Sequence, residues 1–116
     1  FRRAVRVLKK LDGVVEQASE QELADAAAEA DRAGAFVCPQ TAVALAATRK
    51  LAISGVIKKG ESVVIVSTAH GLKFTEFKSG YHEHTLPGIE AGHANVPVSV
   101  APNVDDILVA IRQRAN

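Results

Sequence analysis

The sequence has no methionine or tryptophan, a single cysteine and few aromatic residues. One cysteine, Cys38, excludes an internal disulfide framework and fits a reducing compartment. Aromatic residues make up only 4% of the 116 positions, whereas 47% are apolar and many of these are alanine. We therefore expect a single domain at most, with helices packed closely through small side chains. Because methionine is missing even at position 1, we also expect a piece of a longer protein.

The chain also has almost no net charge. The chain has 14 basic and 13 acidic residues, which gives a formal net charge of +1. This balance leaves no electrostatic footprint for nucleic acid or an anionic membrane. No apolar run approaches membrane-spanning length, and no signal peptide is visible. We therefore expect neither nucleic acid nor a membrane as a partner, and a cytoplasmic location.

Helical and extended patterns alternate along the chain. Helices are predicted by apolar spacing, by a capping box at Ser19–Glu22 and by an asparagine cap at Asn103. They cover residues 2–11, 19–33, 41–54, 71–81 and 104–114. Short strands are predicted at residues 14–17, 63–66 and 96–100, the last at a sheet edge because it contains Pro97. This alternation predicts an α/β domain with parallel strands.

The stretch at the centre of the chain is the best candidate for a site. Four β-branched residues, Val63–Val66, are typical of a strand buried on both faces, and Ser67 and Thr68 follow at its end. Ligands of open α/β sheets bind outside the carboxyl ends of the strands, so these hydroxyl groups could contact a cofactor. They could equally well satisfy backbone groups at a strand end. Gly71 could be only a turn glycine.

Other reactive side chains are better explained without a functional role. The four histidines are His70, His82, His84 and His93, and neither a Cys-x-x-Cys nor a His-Glu-x-x-His pattern accompanies them. Histidines without a metal role are therefore favoured over a metal site. Cys38 near a helix start could be an activated thiolate. Its apolar neighbours Phe36 and Val37 favour a buried structural cysteine instead.

Two motifs resemble the threonine synthase family of pyridoxal-phosphate enzymes, in the tryptophan-synthase-β-like superfamily. The first is Ser-Thr-Ala-His-Gly-Leu-Lys at residues 67–73, and the match continues at Phe74, Lys78, Tyr81 and His82. The second, at residues 35–45, resembles the Cys-Pro-x-Thr-x-Val-Ala-Leu segment of the longer, plant-like branch. The resemblance extends over about residues 30–82.

The resemblance implies a fold and a reaction. The fold would be three-layer αβα with a mostly parallel sheet, and residues 1–116 would form the C-terminal part of the large, cofactor-binding domain of a fold-type-II enzyme. Enzymes of this family are lyases that convert O-phosphohomoserine and water to L-threonine and phosphate. Partners would be this substrate and the remainder of the same chain, in a homo-oligomer. In a plant the location would be the plastid.

The resemblance also assigns one residue of the cofactor site. The threonine that matches Thr68 faces the pyridine nitrogen of pyridoxal phosphate, whereas His70 and Lys73 receive no assigned contact. The family's Schiff-base lysine and its phosphate-binding loop have no match in this sequence and are expected upstream. We therefore expect no catalytic residue and no metal ligand in this chain, and no activity from it alone.

Two alternatives remain open. One is another pyridoxal-phosphate enzyme of β- or γ-elimination, such as a serine or threonine dehydratase. The other is a non-catalytic α/β binding module. If the chain is part of a larger domain, we expect apolar surface to be exposed beside Val63–Val66.

Overall fold

The computed structural model describes residues 1–115, and these residues form five α-helices. In chain order the helices are α1 (Arg2–Lys10), α2 (Glu20–Arg32), α3 (Pro39–Ile53), α4 (Thr75–His82) and α5 (Val104–Ala115). A short 3-10 helix, Gly71–Phe74, leads directly into α4. The described chain is elongated, with principal extents of 59, 31 and 26 Å. The helices predicted from the sequence are confirmed, with ends that differ by a few residues.

Local side chains define where the helices begin and end. At the start of α2, the Ser19 hydroxyl accepts from the Glu22 amide at 3.2 Å, and the Glu22 carboxylate accepts from the Ser19 amide at 2.7 Å. This is the predicted capping box. Asn103 caps α5 by accepting a hydrogen bond from the Asp106 amide at 3.0 Å. Gly34 follows α2 with a φ of 84°, a conformation that an L side chain rarely adopts.

The core lies between α2, α3 and α4. Leu23, Ala27, Val37 and Ala42 form one buried cluster, and Ala24, Ala28 and Tyr81 form a second. Alanine on the inner face of α2 allows its neighbours to approach closely, as the composition predicts. By contrast, α1 contains no buried residue, and the large apolar side chains of α5 are exposed.

The predicted three-layer αβα fold with a parallel sheet is wrong for the described residues. None of the predicted strands at 14–17, 63–66 and 96–100 pairs with another strand within residues 1–115. The strand-type pairing found there is one isolated antiparallel bridge between Val37 and His70. The physical reason is that β-branched residues favour extended backbone, whereas a sheet also needs a neighbouring strand to satisfy its backbone groups.

Apolar side chains of the central stretch are exposed as a result. Val64 is 87% exposed and Val66 is 74% exposed. The expectation of exposed apolar surface beside Val63–Val66 is therefore confirmed. Among the helices of residues 1–115, none is long and apolar enough to cross a membrane.

Candidate functional site at the end of the central stretch

The central stretch ends where it crosses the segment that precedes α3. Here the Gly71 amide donates to the Phe36 carbonyl at 2.9 Å, next to the bridge between Val37 and His70. The rings of Phe36 and His70 lie 5.7 Å apart. Residues 67–70 are thereby held beside the N-terminus of α3, although more than 25 positions separate them from it along the chain.

Four polar side chains meet at this crossing, and we call them the hydroxyl–thiol cluster: Cys38, Thr41, Ser67 and Thr68. Cys38 is the N-cap of α3, and Pro39 follows it at the first helical position. Because Thr41 lies three positions after Cys38, both side chains are on the same side of the first turn. Their Sγ and Oγ1 atoms are 3.2 Å apart.

The other two members come from the central stretch. Ser67 Oγ lies 3.2 Å from Thr41 Oγ1 and also donates to the Ala69 carbonyl at 3.3 Å. Thr68 Oγ1 makes a longer contact of 3.9 Å with Cys38 Sγ. Cys38 and Thr41 are buried, whereas Ser67 and Thr68 are exposed. The cluster therefore leads from the interior to the surface and ends at the Thr68 hydroxyl.

The surroundings of Cys38 change its acidity. Burial alone would raise the pKa of the thiol, but hydrogen bonds from the Thr41 hydroxyl and amide, the Thr68 hydroxyl and the Ala69 amide outweigh burial. Together they lower the pKa of Cys38 from 9.0 to about 7. The interpretation of Cys38 as a buried cysteine is confirmed, but its contacts with the predicted site were not foreseen.

Below the crossing, a buried ion pair joins α4 to α2. Lys78 Nζ donates to both carboxylate oxygens of Asp31 at 2.7 and 2.8 Å, and Lys78 is only 4% exposed. The same ammonium group lies 4.6 Å from the centre of the Phe36 ring. Phe36 thus connects the ion pair to the backbone crossing that holds residues 67–71.

Three histidines make contacts outside the cluster. His70 Nδ1 accepts from the Leu72 amide at 3.2 Å and so caps the 3-10 helix. His82 Nδ1 accepts from the Asn95 amide at 3.0 Å, and His93 Nε2 lies 3.3 Å from Glu29. Within residues 1–115, no group of three or more histidine, cysteine, aspartate or glutamate residues could hold a metal ion.

Two cavities lie on another part of the molecule, against α2 and α3. Their volumes are about 340 and 300 Å³, and Glu29 and Arg49 line both of them. The first has mostly apolar neighbours, including Leu45 and Ile65, while the second includes His93 and Lys50. Thr68 lines neither cavity, and its side chain is exposed at the surface of the described structure.

The exposed end of the cluster presents a single hydroxyl group to its surroundings. The Thr68 hydroxyl has one proton to donate and two lone pairs, so it can accept from the interior and donate outward. A pyridine nitrogen is one kind of acceptor for this hydroxyl proton. The Lys78 ammonium, in contrast, is committed to Asp31, and Lys50 contacts Glu22 and the Gln17 carbonyl. The cluster therefore offers one free hydrogen-bonding group, the Thr68 hydroxyl, to a ligand outside the described residues.

Sequence comparison finds that this chain is similar to a biosynthetic synthase. One relative is chloroplastic threonine synthase 2 of Arabidopsis thaliana, to which the chain is 47% identical over 111 residues. The alignment covers 96% of this chain but only 22% of the relative, so the chain spans about one fifth of that protein's length. No family model matches the sequence. The resemblance to threonine synthase that the two motifs indicate is confirmed.

Proposed function

We propose that this chain is a segment of the cofactor-binding domain of a threonine synthase and that its Thr68 hydroxyl contacts the cofactor. The complete protein would convert O-phosphohomoserine and water to L-threonine and phosphate. The single observation that carries the proposal is the similarity to threonine synthase over nearly the whole chain, including the motif that contains Thr68. The relative's name describes a chloroplastic protein, which supports a plastid location if this chain comes from a plant.

Pyridoxal phosphate would supply an electron sink for the elimination and addition steps. The role proposed for this chain is to tune that group. The Thr68 hydroxyl would donate a hydrogen bond to the pyridine nitrogen, and it would keep its own proton because an alcohol is a far weaker acid than a carboxyl group. The ring nitrogen would then remain unprotonated. A moderated electron sink favours elimination and replacement over transamination.

The chain would depend on the remainder of the protein for catalysis. None of its lysines lies in the sequence context that matches the family's Schiff-base lysine. Residues 1–116 would therefore be inactive alone, as a C-terminal segment of the domain, and would act with the rest of their own chain in a homo-oligomer. The similarity favours threonine synthase over a dehydratase-like enzyme or a non-catalytic module.

The test uses full-length protein with Thr68→Val, which removes the hydroxyl and preserves the shape of the side chain. We expect binding of pyridoxal phosphate to weaken about fivefold, the usual effect of one lost hydrogen bond, with a changed cofactor absorbance and a lower kcat. Thr68→Ser should restore most of the affinity. Thr48→Val is the matched control, because the Thr48 hydroxyl donates within α3 to the Ala44 carbonyl at 2.7 Å.

Two results would contradict the proposal. Parental absorbance and kinetics in Thr68→Val would remove Thr68 from the cofactor site. Failure of the parent protein to release phosphate and threonine from O-phosphohomoserine, together with deamination of serine or threonine, would indicate the dehydratase-like alternative.

A further inference from the structure

The proposed cofactor contact is made by Thr68, a side chain with few contacts that would fix its rotamer. Thr68 is exposed, and its stretch, residues 61–68, is not paired in a sheet within the described chain. An exposed threonine that lacks further contacts can rotate about its Cα–Cβ bond, and ordering it on ligand binding costs free energy. A hydroxyl that must meet one ring atom therefore needs support from its neighbours.

The hydroxyl–thiol cluster provides this support from a rigid base. Thr41 is 3% exposed and Cys38 is completely buried, and Cys38 caps α3 while Thr41 lies in its first turn. From there Thr41 Oγ1 reaches Ser67 Oγ at 3.2 Å, and Cys38 Sγ reaches Thr68 Oγ1 at 3.9 Å. Two adjacent residues of the central stretch are thus each contacted by a buried side chain of α3.

We propose that Cys38 and Thr41 are positioning residues for Thr68, which hold its hydroxyl in the direction of the cofactor's ring nitrogen. This inference rests on the proposed function. While Cys38 is protonated, its thiol can donate to Thr68 Oγ1, and the single hydroxyl proton of Thr68 is then left for an acceptor outside the protein. When Cys38 is ionised, the same proton is donated to the sulfur instead. Thr41 acts one residue earlier, because its contact with Ser67 fixes the backbone from which Thr68 projects.

The role differs from that of a residue that contacts substrate. Cys38 and Thr41 would act through Thr68, and Thr68 would contact the cofactor, so their loss should affect cofactor affinity and kcat. The KM for O-phosphohomoserine should remain close to the parental value. A residue needed only for folding would instead lower the amount of active protein without changing the cofactor absorbance of the folded fraction.

The experiment compares full-length variants at Thr41, Ser67 and Cys38 by equilibrium binding of pyridoxal phosphate, cofactor absorbance, kcat and KM. Thr41→Val removes the hydroxyl without changing the shape of the side chain, and it should weaken cofactor binding about fivefold. Thr41→Ser should restore the affinity because it keeps the hydroxyl. Cys38→Ala should shift the cofactor absorbance in the same direction as Thr68→Val. Thr48→Val, on the same helix, should behave like the parent protein.

Ser67→Ala keeps the test decisive if the buried variants fail to fold. Ser67 is exposed, so its variant should fold, yet it loses the contact with Thr41 and should also weaken cofactor binding. Parental affinity, absorbance and kcat in Thr41→Val or Ser67→Ala would overturn the inference. If the Thr41 and Ser67 variants behave like the parent but Thr68→Val binds the cofactor more weakly, the positioning inference fails and the proposed function stands. If Thr68→Val also behaves like the parent, both fail.

Discussion

The ammonium group of Lys78 lies between the carboxylate of Asp31 and the face of the Phe36 ring. It is 2.7 and 2.8 Å from the two Asp31 oxygens and 4.6 Å from the ring centre. The two charged side chains are separated by 47 positions in sequence, and Lys78 is only 4% exposed. This buried pair fastens α4 to α2 and, through Phe36, supports the crossing beside the hydroxyl–thiol cluster.

Removing one partner of this pair should be strongly destabilising. Asp31→Ala leaves the buried Lys78 ammonium without its carboxylate, which typically costs about 3–5 kcal/mol of unfolding free energy. The double variant Asp31→Leu with Lys78→Met replaces the pair by apolar groups and should recover most of that loss. Urea denaturation of the full-length protein measures both.

The control is Arg49→Gln, which breaks an exposed pair with Glu29 and should cost about 1 kcal/mol or less. If Asp31→Ala and Arg49→Gln lose equal amounts of unfolding free energy, the buried pair does not stabilise the protein more than an exposed pair does.

Gly71 should not tolerate a side chain. A Cβ atom at this position would lie 2.7 Å from the Phe36 ring and 2.9 Å from Lys78 Cε, both closer than atoms can pack. Gly71→Ala should therefore displace Phe36 or Lys78 and destabilise the protein by about 1–3 kcal/mol, the usual range for overpacking. Thermal unfolding checks this against Gly92→Ala, since a Cβ at Gly92 would have no atom within 4 Å. The idea of a tight crossing is wrong if the two alanine variants have the same unfolding free energy.

The helices could be predicted from the sequence because their signals are local. Ser19 and Glu22 are three positions apart, and Asn103 and Asp106 have the same spacing, so each cap can be recognised from a few residues. The sheet could not be predicted in this way. Val63–Val66 favour extended backbone, but whether an extended segment joins a sheet depends on a partner strand that its own sequence does not specify.

The candidate site was likewise only partly predictable. The motif drew attention to Thr68, but the contacts of Thr41 with Ser67 and of Cys38 with Thr68 join residues 26 and 30 positions apart. Such long-range contacts follow from the packing of α3 against the crossing and not from local pattern. One signal was present in the sequence. Cys38 and Thr41 flank Pro39 at a spacing of three residues, which places both side chains on one side of a first helical turn.

The stability of the protein should depend on pH through Cys38. Hydrogen bonds in the folded state lower the thiol pKa from 9.0 to about 7, so between these values the unfolded chain binds more protons than the folded chain. Stability must therefore rise with pH over that range. The contribution of Cys38 is fully present above pH 9, and it is lost as the pH falls through about 7.

Comparison with Cys38→Ser isolates this effect, because serine does not ionise in the same range. The difference in unfolding free energy between the parent and the variant should increase from pH 7 to pH 9 and then level off. The ultraviolet absorbance of the thiolate, taken as the difference between the same two proteins, should titrate with a midpoint of about 7. A midpoint at or above 9.0 would show that the hydrogen bonds from Thr41 and Thr68 do not stabilise the thiolate. In that case Cys38 would remain a thiol at neutral pH, which is the form that can donate to Thr68 Oγ1.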